Sequence, residues 1–315
     1  MLLNNAEGLA KRLLSGDRRA LARTITEVEN QTECGLAALR LIFPHAGGAH
    51  VIGITGSAGS GKSTLTADLA RAYRRLGRQV GIVAVDPSSP YTHGAILGDR
   101  IRMQDLSADI GVFVRSVATR GSVGGLSATA ADVATLLAAS GRGIVLIETV
   151  GAGQDEVEIA AVAQTTLVLN TPGMGDDVQA IKAGIMEAAD ILIVNKADLP
   201  GADVVAAQLQ ALLSFAPSGA WNIPVLKVSA LKDEGIEQLV DAIEAHGLHL
   251  GTSAAGASAR AERARHEILV AAQAEVARRL GSPEAVVKLD LLAGEVAARA
   301  LDPRTAALTL MDGIA

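Results

Sequence analysis

Apolar residues occur in seven short runs between positions 51 and 228, and stretches long enough for crossover helices separate most of them. Several runs are continuously apolar, as expected of strands buried on both faces of a parallel sheet. Strands that alternate with helices predict an α/β fold, with a mainly parallel sheet flanked by helices. The predicted strands are Val51–Thr55, Val80–Val85, Gly111–Arg115, Ile144–Glu148, Thr165–Asn170, Ile191–Asn195 and Val225–Val228.

The chain before the first strand has a helical pattern. Leu9, Leu13 and Leu14 predict one apolar stripe, and Asp17 is placed to cap the next helix. Pro44 and a following glycine pair end this region. We therefore predict an N-terminal helical extension over residues 1–45.

The chain after His249 contains no further strand pattern. Residues 251–256 are Gly, Thr, Ser and Ala and predict a linker, and Ala257–Leu280 predicts one long helix. Pro283 and Pro303 should begin two more helices, because proline is favoured in the first turn. We therefore predict a sheet domain over residues 46–250 and a C-terminal helical region over residues 251–315.

Composition limits the classes of function. The 315 residues are 49% hydrophobic and only 2% aromatic, so the core must consist mainly of Ala, Leu, Val and Ile. A formal net charge of -6, with one Trp and two Tyr, argues against a nucleic-acid partner. The single cysteine, Cys34, cannot form an intrachain disulfide. The start lacks a signal-peptide pattern, and no apolar stretch reaches the roughly 20 residues of a membrane-spanning helix. We predict a soluble cytoplasmic protein with no membrane partner.

The clearest chemical motif follows the first predicted strand and opens a helical segment. It fits the pattern G-x-x-x-x-G-K-[ST] in the strand–loop–helix context that a phosphate-binding loop requires. Its glycines let backbone N–H groups turn toward phosphates, and the helix N-terminus adds partial positive charge. We expect Lys62 to reach the β- and γ-phosphates, Ser63 to bind magnesium and Thr64 to contact the α-phosphate. The motif residues are Gly56, Ser57, Ala58, Gly59, Ser60, Gly61, Lys62 and Ser63.

Magnesium prefers several oxygen ligands, so carboxylates are expected at neighbouring strand ends. Glu148 ends a predicted strand and begins Glu148–Gly151, which resembles the D-x-x-G of ordinary GTPases with Glu in place of Asp. Gly151 would then offer its backbone N–H to the γ-phosphate. Asp86 ends another strand and is the second predicted magnesium ligand and catalytic acid, although an aspartate before proline can also cap a turn.

Two further charged residues are candidates for this site. Asp99 is a third possible magnesium ligand. This assignment depends more on the family resemblance described below than on the position of Asp99 in the sequence. Arg102 could neutralise charge that develops on the transferred phosphoryl group. A surface salt bridge explains Arg102 almost as well.

A second motif indicates which base is read. Asn195, Lys196 and Asp198 form N-K-x-D after an apolar strand, and the Asp carboxylate can accept hydrogen bonds from guanine N1–H and its 2-amino group. Adenine offers neither donor, and sites built on such pairing can reject the wrong partner by roughly 10⁴–10⁵. We expect the Lys196 stem to pack across the base and Asn195 to tie this loop to the phosphate-binding loop. Ser229, Ala230 and Leu231 match the loop that contacts guanine O6 through backbone N–H groups.

Segments outside these motifs resemble one family of P-loop NTPases. They are similar to the methylmalonyl-CoA mutase-associated GTPases, the G-protein metallochaperones of adenosylcobalamin-dependent acyl-CoA mutases. The resemblance covers nearly the whole chain, including its helical ends. The segments that carry it are Val85–Ser89, Ile96–Met103, Ala118–Gly121, Gly124–Ser127, Glu148–Gln154 and Pro172–Lys182.

The resemblance implies a GTPase that uses GTP/GDP and Mg²⁺ and is slow without its partner. It further implies that hydrolysis is coupled to adenosylcobalamin delivery to a mutase, and to protection or reactivation of that mutase. It implies a homodimer joined by the C-terminal helices, although a helical cover on the core is the alternative for that region. Asp176, Gln179 and Lys182 would lie in a switch loop that contacts the mutase. The client could act on methylmalonyl-, isobutyryl-, 2-hydroxyisobutyryl- or ethylmalonyl-CoA.

Three other functions fit parts of the sequence. A nickel-insertion GTPase shares the Glu148 substitution, but the six histidines are scattered, and a solvated helix end explains the closest pair, His246 and His249. A P-loop small-molecule kinase would have no use for the Asn195–Asp198 loop. A non-catalytic, nucleotide-dependent scaffold is the third alternative.

Overall fold

A computed structural model describes residues 2–87, 106, 108–119, 125–149, 155–173, 189–215 and 220–313. Seven strands form one parallel sheet in the order β3-β2-β4-β1-β5-β6-β7. All seven predicted strands are confirmed, with ends that differ by a few residues. The strands are β1 His50–Gly56, β2 Val80–Pro87, β3 Val112–Thr119, β4 Ile144–Thr149, β5 Thr165–Asn170, β6 Ile191–Val194 and β7 Val225–Lys227.

The helices of the described residues lie before, between and after these strands. A short 3-10 helix, Phe43–His45, precedes the sheet. The α-helices are α1 Leu2–Leu14, α2 Arg18–Glu29, α3 Glu33–Ile42, α4 Lys62–Arg75, α5 Gly125–Ala139, α6 Asp155–Val162, α7 Ala202–Ser214, α8 Ile236–Thr252, α9 Ala254–Leu280, α10 Pro283–Ala297 and α11 Pro303–Asp312. Pro283 and Pro303 begin α10 and α11 as predicted.

The sheet is buried on both faces, which explains its continuously apolar strands. On one face, α4 and α8 pack on side chains such as Ile52 and Leu146. On the other face, α5 and α6 cover Val145 and Ile147. Each fully buried Leu, Ile or Val contributes about 1.5–3 kcal/mol. The two apolar layers therefore fix the strand ends that carry the functional loops.

The N-terminal helices pack against α5 and belong to the second apolar layer. The Asp17 carboxylate accepts hydrogen bonds from the N–H groups of Arg19 (2.8 Å) and Ala20 (3.0 Å), so the predicted cap is present. Leu9 and Leu13 are buried, but Leu14 is 37% exposed, so its place in the apolar stripe was wrong. The physical reason is helical periodicity, because Leu14 lies about 100° around α1 from Leu13.

The predicted linker at residues 251–256 was wrong. Helix α8 continues through Thr252, and Ser253 caps α9 by accepting a hydrogen bond from Gly256 N–H at 3.0 Å. A Cβ atom on Gly256 would lie 2.0 Å from the Leu250 carbonyl oxygen. The small residues therefore allow two helices to meet at a tight corner rather than forming a flexible connection.

In the part of the chain that the structure describes, no helix combines the length and the apolar character needed to cross a membrane.

Candidate functional site

The phosphate-binding loop joins β1 to α4 at the carboxyl edge of the sheet. Helix α4 begins at Lys62, and its N-cap residue, Gly61, makes no side-chain cap hydrogen bond. Gly61 has φ +93°, and a Cβ atom there would lie 2.4 Å from Asn195 Nδ2. Only glycine fits this position, and the uncapped helix end suits a phosphate group.

Lys62 is held across the loop that precedes it. Its side chain is buried, and Nζ donates hydrogen bonds to the carbonyl oxygens of Gly56 (2.6 Å) and Ser57 (2.9 Å). The ammonium group therefore lies over the loop that should receive the phosphates. That Lys62 reaches the β- and γ-phosphates stays a prediction of the sequence motif.

Ser63 and Glu148 bring two oxygen groups together where α4 begins and β4 ends. Both side chains are buried, and the Ser63 hydroxyl donates a hydrogen bond to the Glu148 carboxylate. A hydroxyl and a carboxylate are oxygen donors of the kind that Mg²⁺ prefers, so this pair fits the predicted metal. Asp86 lies beyond the pairing of Val85 with Thr149, at the same edge, although its side chain is outside the described atoms.

A cavity of about 420 Å³ lies beside the phosphate-binding loop. It joins the start of α4 to the two loops that follow β6 and β7. This volume is within the range of small-ligand pockets. Of the residues predicted to read the base, all except Ser229 line this cavity. Thr64, which is predicted to contact the α-phosphate, also lines it. The lining residues are Gly61, Thr64, Asn195, Lys196, Asp198, Leu199, Ala230 and Leu231.

The N-K-x-D loop is bonded directly to the phosphate-binding loop. Asn195 Nδ2 donates to the Ser60 carbonyl oxygen at 2.8 Å, which is the contact expected from the sequence. Lys196 Nζ donates to the Gly59 carbonyl oxygen at 2.8 Å, so its stem extends from one loop to the other. Lys196 has φ +54°, an uncommon conformation for a residue other than glycine. The two loops therefore form one connected site.

Ser229 orients the carboxylate that is expected to read the base. Its hydroxyl donates to Asp198 Oδ1 at 2.6 Å, and this hydrogen bond is the main cause that lowers the pKa of Asp198. Asp198 therefore stays ionised as an acceptor at neutral pH. The sequence motif pointed to the backbone of Ser229 and did not reveal this role of its hydroxyl.

Several predicted site residues lie outside the described residues. The roles of these residues therefore remain predictions. The structure describes only the first two residues of the switch loop between Pro172 and Lys182, so the role of this loop also remains a prediction. These residues are Asp99, Arg102, Gly151, Asp176, Gln179 and Lys182.

A second polar cluster lies at the opposite, amino edge of the sheet. The Thr165 hydroxyl lies 2.7 Å from His50 Nε2 and 2.8 Å from His246 Nδ1, and His246 Nε2 lies 3.3 Å from Asp190 Oδ1. His246 is 2% exposed, so the prediction that it lies at a solvated helix end was wrong. Trp221 packs on its ring, with the two centroids 4.8 Å apart. Sequence reasoning missed this cluster, because its members are distant along the chain and match no motif.

The parallel sheet, the phosphate-binding loop and the adjoining N-K-x-D loop define a P-loop GTPase. Comparison with known proteins then narrows the class. The sequence model of the family "methylmalonyl-CoA mutase-associated GTPase MeaB" matches residues 21–284 of this chain. The chain belongs to this family.

Individual relatives agree with this assignment. A Pyrococcus abyssi protein named "Putative GTPase" is 42% identical over 309 residues, which cover 95% of this chain and 94% of that protein. The GTPase ArgK of Escherichia coli is 38% identical over 242 residues, covering 74% of this chain and 73% of ArgK. A crystal structure of a LAO/AO transport system kinase has a TM-score of 0.72 at 26% identity, covering 99% of this chain and 98% of that one.

Proposed function

We propose that this protein binds GTP with magnesium at the carboxyl edge of its sheet and hydrolyses it to GDP and phosphate. The connection between the base reader and the phosphate-binding loop carries the proposal. Asn195 and Lys196 both bond to that loop, at 2.8 Å each, so groups for both ends of one nucleotide are held in a fixed relation. A site that only bound phosphate would not need the Asp198 cavity beside it.

The described residues have separate tasks in hydrolysis. The uncapped start of α4 and the Lys62 ammonium would bind the phosphates and stabilise charge on them. Ser63 and Glu148 would hold Mg²⁺, which supplies further charge neutralisation at the phosphates when it is bound. The same proposal includes Asp86 and Asp99 as further Mg²⁺ ligands. It also includes Arg102, which would neutralise charge on the transferred phosphoryl group, and the Gly151 N–H, which would contact the γ-phosphate.

We further propose that hydrolysis serves a cobalamin-dependent acyl-CoA mutase. Support comes from the family, whose description associates it with methylmalonyl-CoA mutase. The GTPase would couple its nucleotide state to adenosylcobalamin delivery and to protection or reactivation of the mutase. Asp176, Gln179 and Lys182 would transmit that state. The intrinsic rate would be slow without the partner, and the setting would be cytoplasmic.

The C-terminal region, residues 251–315, is proposed as a dimerisation arm. Helices α9, α10 and α11 expose large apolar side chains, including Ile268 (68%), Leu291 (69%) and Leu308 (67%). Exposed apolar side chains of this size are frequent at protein interfaces. Light scattering should give a dimer, and Leu291→Glu combined with Leu308→Glu should give a monomer.

The proposed activity and its partner are tested together. The protein is mixed with a cobalamin-dependent acyl-CoA mutase in the presence of GDP, GTP or a non-hydrolysable GTP analogue, and the complex is captured on the tagged mutase. We expect capture to depend on the nucleotide and the mutase to increase the rate of phosphate release. Lys62→Ala should remove phosphate release in both conditions.

The two parts of the proposal can fail separately. Phosphate release without any nucleotide-sensitive complex would overturn the mutase partner and leave the GTPase intact. Equal release from GTP and ATP would overturn the base assignment instead.

A further inference from the structure

A second cavity, of about 380 Å³, lies far from the motifs of the nucleotide site. Helices α2 and α3, α5 and α9 enclose it, so it lies where the N-terminal helices, the sheet domain and the C-terminal arm meet. Its volume is within the range of pockets for small organic molecules. None of the residues named for GTP binding or hydrolysis lines it.

The walls of this cavity are mainly apolar. Leu36, Leu39 and Phe43 line one side, and Val270 and Ala271 of α9 line the other. Such walls favour a hydrocarbon or aromatic group over a nucleotide, a sugar or a phosphate. A molecule that fills this cavity should therefore have a substantial apolar part.

Two of the polar side chains that line this cavity are Asp132 and His266. His266 Nε2 is buried and has no hydrogen-bond partner among the described residues. A buried polar atom without a hydrogen bond is destabilising, so a ligand that supplies the missing bond is favoured. Because Asp132 and His266 line the same cavity, one ligand can contact both side chains.

The charge of the lining is acidic. Glu267 lies beside the cavity with Asp132, whereas the Arg278 guanidinium is already bonded to Glu275 at 2.8 Å. Burial, with a contribution from Glu267, raises the pKa of Asp132 to about 7. A cation beside Asp132 would relieve the cost of ionising this carboxyl group, and an anion would increase it.

We propose that this cavity binds a small organic cation, an apolar molecule with one protonated amine, whose ammonium group pairs with Asp132. The apolar part lies against Leu36, Leu39 and Phe43, and His266 Nε2 accepts a second N–H of the amine. The site is separate from the GTP site, and its existence does not depend on the proposed function.

The test compares three probes of similar shape and different charge. They are 2-phenylethylamine, 2-phenylethanol and 3-phenylpropanoate, measured on the full chain at pH 8 by saturation-transfer NMR titration. We expect the amine to bind most tightly and the carboxylate most weakly. In Asp132→Asn the amine should lose at least about tenfold in affinity, while the alcohol should bind as before. Asp290→Asn, an exposed carboxyl group on α10, is the matched control and should leave all three affinities unchanged.

A second variant keeps the test decisive if Asp132→Asn does not fold. Ala274→Leu fills the cavity from α9 and should abolish binding of both the amine and the alcohol, with GTP affinity unchanged. The proposal is overturned if the amine binds no better than the alcohol. It is equally overturned if Asp132→Asn retains amine affinity, or if no probe binds at millimolar concentration.

Discussion

The two edges of the sheet both carry polar side chains, but they use them differently. At the amino edge, Thr165 lies between His50 and His246, and Asp190 contacts His246, so the polar groups satisfy each other. At the carboxyl edge, the polar groups hold two loops in position around an open cavity. Polar groups that are fully bonded to each other stabilise a fold, whereas polar groups around an open cavity can bind a ligand.

The backbone makes the same distinction. Gly61 and Lys196 both have positive φ at the carboxyl edge, beside the cavity. No residue of the amino-edge cluster has positive φ. Uncommon backbone conformations persist where the surroundings hold them, and they gather at functional sites. Substitutions at the carboxyl edge should therefore alter nucleotide chemistry, and substitutions at the amino edge should alter stability.

The largest expected effect is at Lys62. Lys62→Ala removes the ammonium that lies over the phosphate-binding loop, and we expect GTP turnover to fall by about 10³ or more. Phosphate release under saturating GTP measures this. Lys227→Ala, which removes an exposed lysine paired with Asp203, is the control and should retain full turnover. Comparable turnover in Lys62→Ala would contradict the phosphate site.

Glu148 should show a smaller, metal-specific effect. Glu148→Gln keeps an oxygen that can accept the hydrogen bond from Ser63 but loses the charge proposed to help hold Mg²⁺. The magnesium concentration for half-maximal turnover should rise by roughly 10–100-fold. Glu244→Gln, at an exposed acid paired with Arg78, is the control. An unchanged magnesium requirement would remove Glu148 from the metal site.

Gly61→Ala, compared with a second glycine variant, distinguishes the effect of backbone strain from the effect of a steric clash with Asn195. The new methyl group would collide with Asn195 Nδ2 at a position of positive φ, which costs about 1–3 kcal/mol. We expect GTP affinity, measured by fluorescent-nucleotide titration, to fall by about tenfold or more. Gly77→Ala also has positive φ (+74°) but no atom within 4 Å of the new methyl group, so it should leave affinity unchanged. Equal losses in both variants would show that strain alone is responsible.

The smallest effect is expected at the amino edge, as a change in the pH dependence of stability. Burial lowers the pKa of His50 and His246 from 6.5 to about 4, so only the unfolded chain takes up these protons between pH 6.5 and 4. Burial raises the pKa of Asp190 to about 6, which acts in the opposite direction below pH 6. Within this cluster two histidines outweigh one carboxyl group near pH 5, so the contribution of the cluster to the free energy of unfolding should fall on acidification.

This pH dependence can be measured by urea unfolding at pH 7, 6 and 5, followed by the fluorescence of Trp221, the only tryptophan. Between pH 6.5 and 5 the free energy of unfolding should change less in the destabilising direction in His246→Gln than in the wild type, and GTP affinity should be unchanged. His45→Gln, at an exposed histidine, is the control and should behave as the wild type. A lost GTP affinity in His246→Gln would contradict the separation of the two edges.

The sequence predicted the sheet and the nucleotide loops because both have local signatures. Continuous apolar runs indicate strands buried on both faces, and the order of residues from Gly56 to Ser63 reflects one loop geometry. The corner at Ser253 was missed because its composition also suits a linker, and only the packing of Gly256 on Leu250 separates the two. The partners of His246 come from three distant segments, so no local pattern could reveal its burial.

The nucleotide site is most directly tested by the base that it selects. Calorimetry with magnesium should give a GTP affinity at least about 10³ above that for ATP, because adenine leaves the Asp198 carboxylate unpaired. In Asp198→Asn the preference should move from GTP to xanthosine triphosphate, and in the control Asp203→Asn, at an exposed acid, it should not move. Equal affinity for GTP and ATP in the wild type, or unchanged GTP affinity in Asp198→Asn, would contradict a guanine-reading site.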